Sequence, residues 1–261
     1  MLAASPPHRS SWPRALSLSR RARAQIGLYL LAYLVYSAAR YVTVGDLPSA
    51  KSHAAGIVSL EHHLGVGIEA SVQQFFAGSW AMWLLNHVYL AAQLVVLPGS
   101  LVFLYHRSYP LYQRLRNTIL ATWLLSVPVY ALFPVAPPRL AGIGILDTIS
   151  KSTGVGLDSH LTTSFYNQLA AVPSLHVGFA VAIGIAISAS LRHPVLKGLA
   201  LLWGPLVGLA VVATGNHFVF DMVAGVAAAA LGYVLGAAAT RARMRRPAAP
   251  SRQLQPTFCE A

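Results

Sequence analysis

Long apolar segments recur along the whole chain, and they limit the possible folds more than any other feature of the sequence. A helix that crosses the hydrocarbon core of a bilayer needs about 20 mostly apolar residues. Six segments approach that length, namely 25–44, 80–105, 117–134, 173–191, 196–213 and 217–240. Only 10% of the residues are charged, compared with roughly 25% in soluble domains, so a water-soluble globule is disfavoured. The sequence predicts an all-α, polytopic membrane protein with six transmembrane helices.

The polar segments outside these spans divide the rest of the chain. Between the first two spans, residues 45–79 mix apolar and ionisable positions at roughly helical spacing. This pattern predicts an interfacial helical segment that lies along the outer membrane surface. The basic, proline-containing ends cannot bury a core. We therefore expect disordered basic cytoplasmic tails at 1–24 and 241–261, and one six-helix membrane domain at 25–240.

The distribution of lysine and arginine predicts how the chain is oriented. With the N-terminus in the cytoplasm, Arg40, Lys51, Arg139 and Lys151 fall outside, so 15 of the 19 basic residues lie on the cytoplasmic side. Cytoplasmic segments of membrane proteins carry such an excess. Both termini are then cytoplasmic in a multi-pass membrane protein. This topology accounts for the positions of the basic residues that give the net charge of +12. We expect no nucleic acid partner, because the basic residues flank apolar runs.

Two short motifs place histidines at the outer starts of predicted spans, where ionisable groups are costly and are functional candidates. Ser174 and His176 follow Pro173 at the start of the fourth span, so Ser174 and the first-turn amides could receive an anion. His217 and Asp221 open the sixth span, and residues four apart share one helix face. A carboxylate beside a histidine fixes its tautomer and makes its other nitrogen a better nucleophile or base.

A proline-rich segment that leaves the third span on the same side carries Arg139. An arginine is always cationic and gives paired donors to phosphate oxygens. Two histidines, a carboxylate and an arginine can therefore converge, and we expect a phosphoryl-transfer site at the extracytoplasmic face. Its expected catalytic residues are His217, His176 and Asp221, and its expected phosphate-binding residues are Arg139, Ser174 and Asn216.

Each candidate also has a simpler interpretation. A histidine in an apolar helix can be a hydrogen-bonded packing residue, and the arginine can anchor a lipid headgroup. His62 and His63 fit the polar face of an interfacial helix. Asn86, His87 and Tyr89 can either line the same cavity or make ordinary interhelical hydrogen bonds.

A metal site is a further alternative, because His176, His217 and Asp221 would be a sensible three-ligand set for zinc. The helix start and the nearby arginine favour phosphate instead, so we expect no metal and no other cofactor. The single cysteine, Cys259, excludes a disulfide framework and a cysteine-ligated metal cluster.

The motifs Pro173-Ser174-Leu175-His176 and His217-Phe218-Val219-Phe220-Asp221 resemble the phosphatidic acid phosphatase type 2 superfamily, and the similarity covers about residues 25–240. With Ala136-Pro137-Pro138-Arg139, they are most similar to its inositol phosphorylceramide synthase branch, whose members are inositolphosphotransferases. The resemblance implies that His217 attacks phosphorus to form a phosphohistidine and that Asp221 orients His217. It also implies that His176 protonates the leaving oxygen.

The chain departs from the common motifs of that superfamily at three places. Leu132 stands where the first motif usually has a lysine, and Ala210 and Val211 stand where the third motif usually has a Ser-Arg pair. The second motif reads Ser-Leu-His, where a glycine is commoner. Phosphate coordination then depends on Arg139, Ser174 and backbone amides, and the departures fit the inositolphosphotransferase branch.

These features predict an integral membrane lipid-phosphate phosphatase or phosphotransferase. Its expected partners are a phosphorylated lipid substrate, membrane lipid and, for transfer, an alcohol acceptor. Water as the acceptor gives a phosphatase, whereas a polyol or sphingoid lipid gives a transferase, which could move a headgroup such as inositol phosphate. The alternative is a non-enzymatic lipid-phosphate carrier or flippase, which would bind headgroups with the same residues and leave the ester bonds intact.

Overall fold

The computed structural model describes residues 19–42, 45–157 and 167–244. Within these ranges the regular structure is helical, apart from an isolated parallel β-bridge between Val135 and Ala170. The predicted all-α class is therefore confirmed for the part of the chain described. Most of the two predicted tails, residues 1–18 and 245–261, lies outside it.

Eleven α-helices follow one another in the described ranges. They are α1 Arg20–Val42, α2 Leu47–Leu64, α3 Glu69–Phe76, α4 Trp80–Ala91, α5 Leu97–Arg107, α6 Tyr109–Leu132, α7 Thr148–Thr153, α8 Leu175–Ser190, α9 Pro194–Leu201, α10 Trp203–Ala213 and α11 Val219–Met244. A π-helical turn, Ala92–Val96, joins α4 to α5, and a 3₁₀ turn, Pro138–Leu140, follows α6. The first and last helices extend past the predicted span limits at residues 25 and 240.

Three helical stretches of the described chain are long and apolar enough to cross a membrane: Trp80–Arg107, Pro194–Ala213 and Val219–Arg241. They match the second, fifth and sixth predicted spans. The helix α8 is apolar but has 16 residues, which gives it a length of about 24 Å. The helices α1 and α6 are long enough, with 23 and 24 residues, but polar residues such as Gln25 and Arg116 lower their hydropathy. Six spans are therefore not confirmed.

Glycines bring α8, α11 and α6 into close contact at the centre of the bundle. A Cβ atom at Gly225 of α11 would lie 2.2 Å from the carbonyl oxygen of Ser174, and one at Gly178 of α8 would lie 2.5 Å from the carbonyl oxygen of Gly225. A Cβ at Gly232 would meet Thr122 of α6 in the same way. Because these positions have no side chain, the starts of α8 and α11 lie side by side.

The segment predicted to be interfacial is helical, as α2 and α3. Asp46 caps α2 by accepting a hydrogen bond from the Ser49 amide at 2.8 Å, and Gly65 ends the helix with a φ of 68°. The carbonyl of Ala50 accepts from the amide of Ala136, 3.1 Å away. This contact places α2 against the segment that follows α6, on the side of the bundle where α11 begins.

Candidate active site

His217 and Asp221 form a hydrogen-bonded pair at the start of α11. The Nδ1 atom of His217 lies 3.2 Å from Oδ2 of Asp221, and both side chains are buried. Gly215, with a φ of 70°, turns the chain between α10 and α11, and the ring of His217 also hydrogen-bonds the backbone of Ala171. Because the carboxylate holds Nδ1, a reaction at this ring would use Nε2, which would leave its backbone partner to react.

Carboxyl groups accept hydrogen bonds from the first backbone amides of α11, which have no carbonyl partner within the helix. The pairs are Asp221 with the Phe218 amide at 2.9 Å, Glu69 with the Val219 amide at 3.0 Å, and Glu61 with the Phe220 amide at 2.7 Å. Glu69 belongs to α3 and Glu61 to α2. The helices α2 and α3 are therefore tied directly to the helix start that carries His217, and the chain's own carboxyl groups accept hydrogen bonds from its amides.

Glu61, a buried acid in α2 outside the apolar spans, has a pKa well above that of an exposed glutamate. Burial, together with the nearby carboxylates of Glu69 and Asp221, raises the pKa of Glu61 to about 8, although the hydrogen bond from the Phe220 amide acts in the opposite direction. At neutral pH Glu61 is therefore mostly protonated. Since its side chain hydrogen-bonds Glu69, it can donate the proton to the Glu69 carboxylate.

His176 lies in the first turn of α8 and faces His217. The two ring centroids are 5.8 Å apart. The opposite side of the His176 ring stacks on Tyr89 of α4, with centroids 4.2 Å apart and an angle of 19° between the rings. The two histidines of the separate motifs therefore meet, and an aromatic ring fixes the orientation of one of them.

Ser174 caps α8 and contacts α11 through its backbone. Its Oγ accepts from the Val177 amide at 3.5 Å, and its own amide donates to the Asp221 carbonyl at 3.0 Å. The residue is fully buried. Its hydroxyl therefore satisfies one of the first-turn amides that were expected to receive an anion.

Arg139 and Asn216 are hydrogen-bonded to each other beside His217. Nε of Arg139 donates to Oδ1 of Asn216 at 3.0 Å, and the Arg139 amide donates to the Gly215 carbonyl at 3.0 Å. The amide group of Asn216 donates in turn to the hydroxyl and the carbonyl of Thr214. Both side chains are buried, so Asn216 orients the guanidinium in a site where its charge is little screened.

A cavity of about 460 Å³ has both histidine rings in its wall. Its other walls come from α1, α4, α6, α8 and the loop after α7, and they are largely aromatic and aliphatic. The lining residues used below are Tyr33, Tyr89, Leu94, Trp123, Tyr130 and Leu157. Leu94 is 72% exposed on the outside of the bundle, so the cavity reaches the lateral surface. Its shape and lining fit an apolar chain with a polar group at the histidines.

A family model described as the PAP2 superfamily matches residues 55–235. The chain belongs to the PAP2 superfamily. No curated protein and no solved structure matches it. PAP2 superfamily members are phosphatases and phosphotransferases, which makes this chain, at that general level, a phosphoric ester hydrolase or transferase in a membrane lipid context. The resemblance to this superfamily is confirmed, and the match does not distinguish its branches.

The positions at which the chain departs from the common PAP2 motifs do not line the cavity. Leu132, which replaces the lysine, is 83% exposed at the end of α6. Ala210 and Val211, which replace the Ser-Arg pair, are buried in α10, and the Val211 carbonyl accepts from the His217 amide at 3.2 Å. The guanidinium that remains beside His217 is that of Arg139.

The other polar candidates of α2 and α4 have different surroundings in the structure. Asn86 accepts from the Thr148 hydroxyl at 2.7 Å and holds α7 on α4, so the interpretation as an interhelical hydrogen bond is confirmed for it. His87 is half-buried and packs on Trp83, whereas Tyr89 lines the cavity. The side chains of His62 and His63 are exposed on α2.

Within the described ranges, no three histidine, cysteine or acidic side chains are grouped so that they could hold a metal ion. His176, His217 and Asp221 do not form such a set, because Asp221 holds Nδ1 of His217 and His176 stacks on Tyr89. The alternative of a three-ligand zinc site therefore has no donor set in this part of the chain.

Proposed function

We propose that this protein removes or transfers the phosphoryl or phosphodiester head of a membrane lipid through a phosphohistidine at His217. The observation that carries the proposal is the pair of facing histidine rings in one cavity wall, 5.8 Å apart, with Asp221 on Nδ1 of His217. A phosphorus atom bound to His217 can then have its leaving oxygen near His176.

In the first step, Nε2 of His217 attacks phosphorus and the bond from phosphorus to the leaving oxygen breaks. His176, as an imidazolium, gives its proton to that oxygen. The ring of His217 gains positive charge as the phosphorus–nitrogen bond forms. The Asp221 carboxylate interacts more strongly with this cationic ring than with the neutral one, so it stabilises the transition state more than the ground state.

In the second step, an acceptor hydroxyl loses its proton to neutral His176 and its oxygen bonds to phosphorus. The phosphorus–nitrogen bond breaks and His217 is restored. Water as the acceptor makes the protein a phosphatase, and an alcohol makes it a phosphotransferase. Transfer of a headgroup such as inositol phosphate to an alcohol is supported by the apolar replacements at Leu132, Ala210 and Val211, which resemble the inositolphosphotransferase branch.

Phosphate binding is assigned to Arg139. Its guanidinium lies close enough to His217 to interact with the ring electrostatically, and a guanidinium matches phosphate oxygens in geometry and charge. Asn216 and Ser174 then act through their neighbours, because Asn216 holds Arg139 and Ser174 caps α8. They are positioning residues in this proposal.

The lipid tail is assigned to the apolar cavity, and the site to the extracytoplasmic face of a six-span protein with cytoplasmic termini. Tyr33, Trp123 and Leu157 line the cavity next to the histidines, and such aromatic and aliphatic walls favour a hydrocarbon chain. The excess of basic residues in the predicted cytoplasmic segments supports the orientation.

Trapping of the phosphoenzyme tests the proposal. The purified protein is mixed briefly with phosphate-labelled phosphatidic acid, phosphatidylinositol or a polyprenyl phosphate, with and without inositol, and then denatured. We expect label on the protein that is stable to alkali and labile to acid, as a phosphoramidate is, together with phosphate release or a new ester. The His217→Ala variant should carry no label.

The matched control is His87→Ala, because His87 is a half-buried histidine that does not line the cavity. It should label as the unchanged protein does. Labelling of a folded His217→Ala protein at the same level would contradict the phosphohistidine. Binding of the labelled lipids with every ester intact would favour the carrier.

A further inference from the structure

A groove with arginines at one end lies between α6 and α11, far from the histidines. It has a volume of about 410 Å³ and is lined by Gln113, Arg116, Asn117, Leu120, Ala121, Leu124, Leu125, Leu235, Gly236, Ala239 and Thr240. A smaller hollow of about 160 Å³ adjoins it at Gly236 and Thr240 and adds Arg114 and Arg241. Thr240 is 21 residues beyond Val219, or about 30 Å along α11, so the groove is at the opposite end of the bundle.

Arg116 is a buried cation whose hydrogen-bond partners are neutral. It donates to the carbonyl oxygen of the Gln25 side chain in α1 and, from Nε and a terminal nitrogen, to that of Asn117 at 3.0 and 2.7 Å. Its side chain is 8% exposed. These bonds use three of the five N–H groups of a guanidinium, and the Tyr112 hydroxyl also hydrogen-bonds Arg116, which leaves one donor for an oxygen ligand in the groove.

The carboxylates of the described chain are all at the other end of the molecule. Asp46, Glu61, Glu69, Asp147 and Asp221 belong to α2, α3, the loop before α7 and the start of α11. Arg114, Arg116 and Arg241 therefore form a cationic cluster that no carboxylate in the described ranges neutralises. A buried charge without a counter-charge is costly, so an anionic ligand would stabilise this end of the bundle.

The remaining walls of the groove indicate what kind of anion fits. Leu120, Leu124 and Leu125 of α6 face Leu235 and Ala239 of α11, and Leu124 is 71% exposed on the lateral surface. The polar network of Arg116, Asn117 and Thr240 closes one end. A free inorganic anion would leave the apolar walls unfilled, whereas a phospholipid would place its phosphate at the arginines and an acyl chain along the leucines.

We propose that this groove binds an anionic phospholipid of the leaflet opposite the histidine cavity. Basic pockets between membrane helices on the cytoplasmic side commonly bind anionic headgroups, and the orientation assigned above puts the groove there. Because the site is about 30 Å from His217 by the length of α11, its occupancy does not depend on the proposed reaction. The lipid would add to the close contact that Gly236 of α11 already makes with Asn117 of α6 at this end.

Native mass spectrometry and thermal unfolding of the purified protein test the site, with phosphatidylglycerol compared against phosphatidylcholine. We expect selective adducts and a higher Tm with phosphatidylglycerol. One basic residue near a membrane contributes about 1 kcal/mol to anionic lipid binding, or about five-fold in affinity, so Arg116→Gln should lower the preference for phosphatidylglycerol by about five-fold or more. The matched control is Arg107→Gln, an exposed arginine near the same end but outside the groove, which should keep the preference.

A second variant separates lost binding from lost folding. Ala239→Trp fills the groove and leaves every arginine in place, so it should also lose the phosphatidylglycerol adducts while its Tm in phosphatidylcholine stays near that of the unchanged protein. An unchanged preference in either Arg116→Gln or Ala239→Trp would overturn the proposal, since binding in the histidine cavity would survive both. An equal rise in Tm with inorganic phosphate would mean ion binding alone. If the unchanged protein were a dimer and Ala239→Trp made it a monomer, a second copy of the chain would be the occupant of the groove.

Discussion

At the scale of single residues, the side chains around His217 have separable roles in the proposed reaction. Asp221→Asn keeps an oxygen that can accept from the Phe218 amide, as Asp221 does at 2.9 Å, so the variant should fold. It loses the negative charge and can select the wrong tautomer of His217. In hydrolytic triads the same change costs on the order of 10⁴ in rate, and we expect a loss of about 10² to 10⁴ in kcat. His217→Ala should abolish turnover.

His176→Ala should differ from both variants in its dependence on the leaving group. A general acid contributes on the order of 10² to 10⁴ in rate, and an activated aryl phosphate ester hardly needs one. That substrate should therefore partly restore turnover by His176→Ala and leave His217→Ala inactive. The measurement is kcat for the aryl ester and for a lipid in each variant. Equal restoration of both would contradict the assigned roles.

A pH dependence of stability follows from Glu61. Its folded-state pKa of about 8 lies above the ordinary value of 4.5, so its contribution to stability is fully present below about pH 4.5 and is lost as pH rises through about 8. The Tm should therefore fall across this window, as the Glu61–Glu69 pair loses its proton beside α11. Glu61→Gln keeps a neutral side chain there and should flatten the decline. In the control Glu69→Gln, burial still acts on Glu61, so the fall of Tm with pH should persist. If Glu61→Gln left that fall unchanged, Glu61 would not be its source.

At the scale of elements, the contact between α8 and α11 sets the distance between the two histidines. A methyl group at Gly225 would lie 2.2 Å from the Ser174 carbonyl oxygen, so Gly225→Ala must push the starts of these helices apart. A misplacement of about 1 Å can cost on the order of 10² in rate. We expect a loss in kcat of that size and a lower Tm. The control is Gly198→Ala in α9, where a Cβ would meet nothing within 4 Å; equal losses in both variants would show that the contact does not matter.

At the scale of the whole molecule, the prediction concerns orientation. If both termini are cytoplasmic, a cysteine at Lys151 in α7 should react with an impermeant maleimide added outside cells, and one at Arg245 should not. Cys259 is first replaced by serine, so that each protein has a single thiol. The reverse pattern would place the histidine cavity on the cytoplasmic side. Reaction at both positions would contradict an even number of spans.

The sequence by itself determined the helical class through its apolar segments and the superfamily through its two histidine motifs. It also determined the pairing of His217 with Asp221, because helical periodicity brings residues four apart onto one face. It also held a signal that was missed: Glu61 continues the buried face of Ala50, Ala54 and Ile57 in α2, so its spacing could have shown that this acid points inward. The predicted six spans went beyond the three that hydropathy and helix length support in the described chain, because α1 and α6 carry polar residues that pack inside the bundle.

Only the tertiary structure decided which residues meet across the chain. Glu61 and Glu69 reach the start of α11 from 159 and 150 positions away, and Asn216 holds Arg139 from 77 positions away. Nothing in the local pattern specifies such contacts, because they depend on how closely helices approach. Gly178 and Gly225 permit that approach, and the side-by-side helix starts that result place His176, His217 and Asp221 in one site.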